Sequence, residues 1–291
     1  MKFSAREAVD DADLRRMQEL VVETRHLRGL QARHHPGDLA WARHSRGNEE
    51  EQRIRIWELD DLVVAWGWLE GDRLDLHVHP EVRGELVPEV VGWAEGETPG
   101  DTLTVEAFDG DIATLMPLAA AGYAPTAEPG LVALEQPLSL PPPPPRLPDG
   151  FRARHLEPGP DDTERRAAVH RAAFSVHAPS RVTGPSYTRV QAAWPYRHEL
   201  DWVVEAPEGG FVSACTAWID EGSKVALLEP VGTDPEHWRR GFGRAVCLAA
   251  LRAAQVEGAR SAIVCSPNPG LYEAVGFRPY GRFISLERAL R

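Results

Sequence analysis

Residues 229–244 read Glu-Pro-Val-Gly-Thr-Asp-Pro-Glu-His-Trp-Arg-Arg-Gly-Phe-Gly-Arg. An apolar, strand-like run ends near Val231, and a helical pattern begins at Gly243. The first turn of a helix leaves backbone N–H groups without intrahelical acceptors, and the summed peptide dipoles make that end positive. Gly241 and Gly243 remove the side chains that would keep an anion from the backbone, while Phe242 lies between them. Arg239, Arg240 and Arg244 add positive charge. The chemistry this suits is the holding of a pyrophosphate. It is not a Walker A loop, which needs Lys followed by Ser or Thr where this chain has Arg244-Ala245, nor a three-glycine dinucleotide fingerprint. The bare pattern also fits an ordinary turn with surface arginines, so its surroundings decide.

Two further residues could move protons. Strand alternation over Val225–Val231 puts Val225, Leu227, Glu229 and Val231 on one face, so Glu229 is a carboxylate among apolar neighbours. Burial there would raise its pKa, as a base for an ammonium requires; the alternative is a solvated strand-end acid or a partner for arginine. Downstream lies Leu271-Tyr272-Glu-Ala-Val-Gly276-Phe277, a short helix whose tyrosine is either a core aromatic or a proton donor.

The strand, the Thr233-Asp-Pro235 turn, the Gly241-x-Gly243 loop and the Leu271-Tyr272…Gly276-Phe277 segment together resemble the GNAT (Gcn5-related N-acetyltransferase) superfamily over about the last 140 residues. The resemblance implies acetyl-CoA as co-substrate, with no metal, and direct acetyl transfer to a primary amine of a small molecule or peptide. It implies that the backbone of Val231, Gly232 and Thr233 pairs with the co-substrate. The loop from Arg239 to Arg244 would hold its pyrophosphate, Tyr272 would protonate the leaving thiolate, and Asn268 would precede the short helix. Trp238 stands where the family has Arg or Gln, and Ser266-Pro-Asn-Pro-Gly-Leu271 is shorter than the usual connection. A non-catalytic acyl-CoA or metabolite sensor would need the loop but neither Glu229 nor Tyr272.

The elements that must position these groups follow from periodicity. Strands are expected over 151–156, 200–205, 211–219, 225–231, 261–266 and 283–287. Helices are expected from Asp161 to about Phe174 with acidic capping, over Pro185–Trp194, from Gly243 to Glu257 with Gly258 as its stop, and over Leu271–Val275. Antiparallel strands followed by a strand–helix–strand crossover predict a mixed α/β sheet. His177, Tyr187, Trp194, Tyr196 and Asp220 are candidate acceptor-lining residues, and His237 a candidate phosphate contact.

Five consecutive prolines, Pro141–Pro145, mark a stiff spacer. They suggest a first domain over 1–138, a linker over 139–148 and a second domain over 149–291. The halves repeat one pattern: Phe3 and Phe151 open them, Leu74…Gly84 and Leu228…Gly241 correspond, and Gly122-Tyr123 answers Gly276-Phe277. In the first copy Leu86 and Pro88 replace the loop glycines and Leu118 replaces the tyrosine, which predicts a degenerate unit that keeps the fold without the co-substrate. His34, His35, His77 and His79 there read as satisfied or surface histidines rather than ligands.

The net charge of −12 disfavours sequence-independent nucleic-acid binding. No apolar run approaches the roughly 18 residues of a membrane span, and the start has no apolar signal core, so a cytoplasmic protein without a membrane partner is expected. Three cysteines, none spaced as CxxC, argue against a disulfide scaffold or zinc, and Cys215 and Cys265 read as inert core thiols. The sequence leaves monomer and homodimer open.

Overall fold

The computed structural model describes residues 2–176 and 178–290. The first half of the chain contains β1 (Ser4–Glu7), α1 (Asp11–Arg28), α2 (Pro36–His44), β2 (Arg53–Leu59), β3 (Leu62–Glu70), β4 (Arg73–Val78), α3 (Arg83–Glu97), β5 (Thr102–Phe108), α4 (Ile112–Ala120), β6 (Ala124–Pro125) and β7 (Leu131–Pro137). The second contains β8 (Arg152–His155), α5 (Pro160–Phe174), α6 (Gly184–Ala192), β9 (Asp201–Glu205), β10 (Phe211–Asp220), β11 (Val225–Thr233), α7 (Phe242–Val256), β12 (Ser261–Ser266), α8 (Gly270–Val275) and β13 (Arg278–Ala289). The mixed α/β character and the repeated order of elements expected from the sequence are both present.

Helix ends explain several boundaries. α5 begins at Pro160 after Gly159, not on an acidic cap. Asp162 instead accepts from the Glu157 N–H at 2.9 Å and pairs with Arg154 at 2.6 Å. α6 starts on a reciprocal box between Thr183 and Ser186. α7 stops at Gly258, whose φ of +95° suits the left-handed turn, and Ala259 N–H then reaches back to the Ala254 carbonyl at 2.9 Å.

Grouped by packing, the chain forms two compact units that exchange segments. Unit 1 comprises residues 1–35, 48–133 and 281–291; unit 2 comprises 36–47 and 134–280. Unit 1 has the sheet order β1-β2-β3-β4-β5-β13, with β6 also on β13, and unit 2 the order β7-β12-β11-β10-β9-β8. In each, one central pair is parallel (β4/β5 and β11/β12) and the first four strands are antiparallel. Each sheet therefore takes its sixth strand from the end of the other repeat: β13 runs antiparallel to β5 from Phe283↔Phe108 to Ala289↔Thr102. The proline segment goes with unit 2, where Arg252 donates to the Pro142 carbonyl at 2.6 Å and Gln255 to that of Leu138 at 2.7 Å.

Helix α2 is the other exchanged piece. A side chain at Gly37 would lie 2.3 Å from Cγ of Trp218, so glycine is what lets this helix approach β10. Trp41 packs on His170 and Tyr187 with centroids 5.2 and 6.1 Å away, and Ser186 Oγ donates to the Ser45 carbonyl at 2.7 Å.

Unit 2 is knit inside by a polar cluster. Arg166, 1% exposed, donates to Asp201 at 3.0 Å and to Thr216 Oγ1 at 3.0 Å; Asp201 also accepts from Tyr187 and, at 3.0 Å, from Tyr196. Removing one member of a buried pair strands the other's charge. Asp201→Ala should therefore destabilise the protein by about 3–5 kcal/mol in urea unfolding. A loss below about 1 kcal/mol, the level of an exposed pair, would show that the cluster is hydrated.

Candidate active site

The site begins with a strand separation. β11 and β12 are paired in parallel only from Val225↔Ser261 to Leu227↔Ile263, although β11 runs on to Thr233 and β12 to Ser266. On its other side β11 stays on β10, but the register shifts: Ala217 faces Leu228 while Cys215 faces Val231. Glu229 and Pro230 together oppose Thr216, which makes a β-bulge and adds local twist. The unbroken alternation expected from Val225 to Val231 does not hold, since an extra residue changes which face follows. Past Leu227 the β12-facing edge of β11 presents backbone N–H and C=O groups to a gap, where an extended ligand can pair as a strand would.

The loop after β11 is fastened by its own residues. Ser213 Oγ lies 2.8 Å from Thr233 Oγ1 and donates to the Gly232 carbonyl at 3.1 Å. Trp238, half exposed at 52%, donates its indole N–H to the Thr233 carbonyl at 2.8 Å, so this departure from the family pattern closes the turn. Arg239 adopts a left-handed φ of 59° and Gly241 one of 85°, and Gly241 caps α7 without a side chain to take its free N–H groups. Arg240 stacks over Phe151 and Phe242 at 5.3 and 5.1 Å and lies 3.1 Å from His237 Nδ1; Arg244 donates to the Ala274 carbonyl at 3.1 Å. Arg239 is exposed at the mouth of the loop.

The two glycines differ in purpose. A side chain at Gly241 would meet nothing within 4 Å, so this residue answers for the left-handed turn and the open backbone. At Gly243 it would lie 3.1 Å from Thr233 Oγ1 and 3.5 Å from Leu271, so that glycine serves packing of α7 against the protein itself rather than access of an anion. Gly232 is likewise a packing glycine, with Ala173 Cβ 2.7 Å from where its Cβ would be.

Glu229 and Tyr272 lie close enough for the charge of one to act on the other. Tyr272 is 8% exposed, packs edge-on against Phe277, and lies near all three cysteines and Glu229. Burial, reinforced by those neighbours, raises its pKa and keeps the phenol protonated. Glu229 has its pKa pushed well up, first by burial and then by the charge and hydrogen bond of Asp38, against a weaker opposing pull from Arg46. Trp218 Nε1 donates to the Glu229 carbonyl and holds this stretch of backbone. Asp38 sits in the first turn of α2, in the half of the chain expected to be separate; nothing in the sequence signals its place here. Cys215 is fully buried beside Cys247, and its thiol pKa is raised by burial, which leaves it inert.

The remaining expected residues scatter. Tyr187 and Tyr196 belong to the Asp201 cluster rather than to a lining. Asp220 closes the β10–β11 turn by accepting from Gly222 N–H at 2.9 Å and Ser223 Oγ at 2.6 Å. Trp194 is 39% exposed. Asn268 is exposed, its N–H bonded to Ser266 Oγ at 3.0 Å. His177 lies outside the described residues.

Unit 1 has the same scaffold without the loop. Leu86 is fully buried, Pro88 sits inside α3, and Leu118 is fully buried at the position of Tyr272. Arg83 folds onto the protein, donating to Asp111 at 2.8 Å and to the Val78 carbonyl at 3.3 Å.

Known proteins share the fold. Residues 170–277 match the acetyltransferase (GNAT) family. The mycothiol acetyltransferase of Thermobispora bispora is 29% identical over 213 residues, which cover 70% of this chain and 71% of that protein. Among solved structures, a tandem GNAT protein from the clavulanic acid biosynthesis pathway superposes with a TM-score of 0.68 at 15% identity, covering 100% of this chain and 99% of that one. A GCN5-related N-acetyltransferase from Sphaerobacter thermophilus gives 0.63 at 20% identity, covering 99% and 96%. Both share the two-unit fold.

The packing role of Gly243 has a measurable consequence. Gly243→Leu should destabilise the ligand-free protein by about 1–3 kcal/mol in urea unfolding, as overpacking does. Gly241→Ala should cost about 1–2 kcal/mol through backbone strain alone. Unchanged stability of Gly243→Leu would show that the contact with Thr233 and Leu271 does not define this position.

Proposed function

We propose that this acyltransferase, whose residues 170–277 match the GNAT acetyltransferase family, uses unit 2 to move an acetyl group from acetyl-CoA to a primary amine of a small molecule or peptide by direct transfer. What supports this reading is the early parting of β11 from β12 together with the nearness of Glu229 to Tyr272. The residues fit the co-substrate. The free edge at Val231–Thr233 can pair with its extended arm, and the first turn of α7, with the backbone around Gly241 and the exposed Arg239, can receive its phosphates.

The chemistry then follows from the two protonation states. The amine nitrogen attacks the thioester carbonyl carbon and the carbon–sulfur bond breaks. The ammonium proton passes to Glu229, whose raised pKa makes it a better base than an ordinary carboxylate. The Tyr272 phenol, kept protonated, gives its proton to the leaving sulfur. The paired carboxyls of Glu229 and Asp38 favour a cationic acceptor, because an ammonium can take the place of the proton they share. The relative named above is likewise an acetyltransferase by name, which supports acetyl as the group moved.

Tyr272→Phe keeps the ring and loses the hydroxyl. Thiol release from acetyl-CoA over a panel of amines should fall by roughly a hundred- to ten-thousand-fold in kcat, while the Kd for acetyl-CoA from calorimetry stays unchanged. Near-normal turnover in this variant would remove Tyr272 as the acid.

Asp38→Asn removes the negative neighbour that raises the pKa of Glu229. A base works deprotonated, so activity appears as pH rises through its pKa; a lowered pKa moves that limb of the kcat/KM profile to lower pH. KM for a cationic amine should rise at the same time. An unshifted limb would show that Glu229 does not titrate in the reaction.

A further inference from the structure

In unit 1 the parallel strands β4 and β5 also part early, being paired only at Arg73↔Thr104 and Leu74↔Val105. Beyond that point His77 from β4 and Glu106 from β5 line a cleft, together with Thr24 and Arg28 of α1, Arg83 of α3 and Asp111. The mechanism of unit 2 uses none of these residues.

Inside the cleft wall runs a chain of hydrogen bonds. His34 Nε2 lies 2.8 Å from Asp75 Oδ1, and His34 Nδ1 lies 3.0 Å from His77 Nδ1. Arg33, bonded to Asp75 and at 2.9 Å to Glu106, holds the Asp75 carboxyl ionised, well below the usual range against the effect of burial. An ionised Asp75 can only accept, so His34 gives it the Nε2 proton. In this Nε2–H tautomer His34 carries its lone pair on Nδ1, which accepts from His77 Nδ1–H. That leaves Nε2 of a neutral His77 as a bare lone pair. The ring cannot swing away: Trp66, fully buried, stacks on it at 5.6 Å and 14°. His77 is 5% exposed, and its Nε2 has no hydrogen-bond partner among the described residues; the same holds for the buried Thr24 Oγ1. Buried polar atoms without partners are rare, and these two line one cleft.

The charges nearby say what the missing partner is. Arg83 and Arg28 both bond Asp111, at 2.8 and 3.1 Å, and Arg33 bonds Asp75 and Glu106, so the ions compensate one another. A cation would meet three guanidinium groups. A carboxylate or phosphate would bring no hydrogen to the His77 lone pair. We infer that this cleft is a second ligand site, distinct from the acetyl-transfer site of unit 2, for a small uncharged molecule bearing hydroxyl groups, one donating to His77 Nε2 and another pairing with Thr24 Oγ1.

Imidazole nitrogen NMR on the isotope-labelled full-length protein tests this with glycerol, erythritol and glucose as probes. The expected result is a His77 protonated at Nδ1 and bare at Nε2, with the Nε2 resonance moving saturably with at least one probe. Ligand-observed saturation transfer should then weaken roughly two- to tenfold in Thr24→Val, the loss of one neutral hydrogen bond, and vanish in His77→Phe. A proton found on Nε2, or no saturable shift with any of the three, would overturn the proposal and leave a trapped water as the partner. Binding that survives in a folded His77→Phe variant would overturn it equally. Should that variant not fold, the titration of the unaltered protein and the Thr24→Val comparison still decide.

Discussion

The parting of β11 from β12 after Leu227↔Ile263 is the constraint on which the rest of unit 2 depends. A sheet interior normally uses both edges of every strand. Here one edge of β11 is given up, and the bulge opposite Thr216 turns the strand so that its last residues lead into the loop before α7. The separation leaves the backbone of β11 past Leu227 without a strand partner on that side. The Ser213–Thr233 contact and the Trp238 indole fasten the end of the strand.

The two repeats exchange segments. The carboxyl that faces Glu229 comes from Asp38, and its helix reaches β10 only because residue 37 is glycine. Each sheet is completed by a strand from the other repeat's end. Cutting the chain at the proline segment would therefore deprive each unit of a structural part, and unit 2 of a residue at its site.

Unit 1 shows what the scaffold does when that loop changes. The same parallel pair parts after two residue pairs, so the gap is a property of the fold rather than of the co-substrate. With Leu86 and Leu118 buried and Arg83 folded onto Asp111, the gap becomes a cleft walled by compensated charges and a histidine chain. The two copies thus share a sheet order and differ in the side chains beyond the parted strands.

Periodicity and motif spacing in the sequence determined the elements of the second half, the repeat, the mixed sheet, the loop before α7 and the opposition of a degenerate to a competent copy. These are local or nearly local properties: alternation, helix stops such as Gly258, and glycines at fixed offsets. Tertiary structure alone decided the rest. The purpose of Gly243 depends on Thr233 and Leu271, the environment of Glu229 on a bulge and on Asp38 nearly 200 positions earlier, and the fate of Tyr187 and Tyr196 on Asp201. The histidines of the first half read singly as surface or satisfied residues, yet His34 and His77 meet because β4 and the segment after α1 converge. Contacts between residues distant in sequence leave no periodic trace, because any spacing along the chain is compatible with them; only the folded path fixes which side chains share a space.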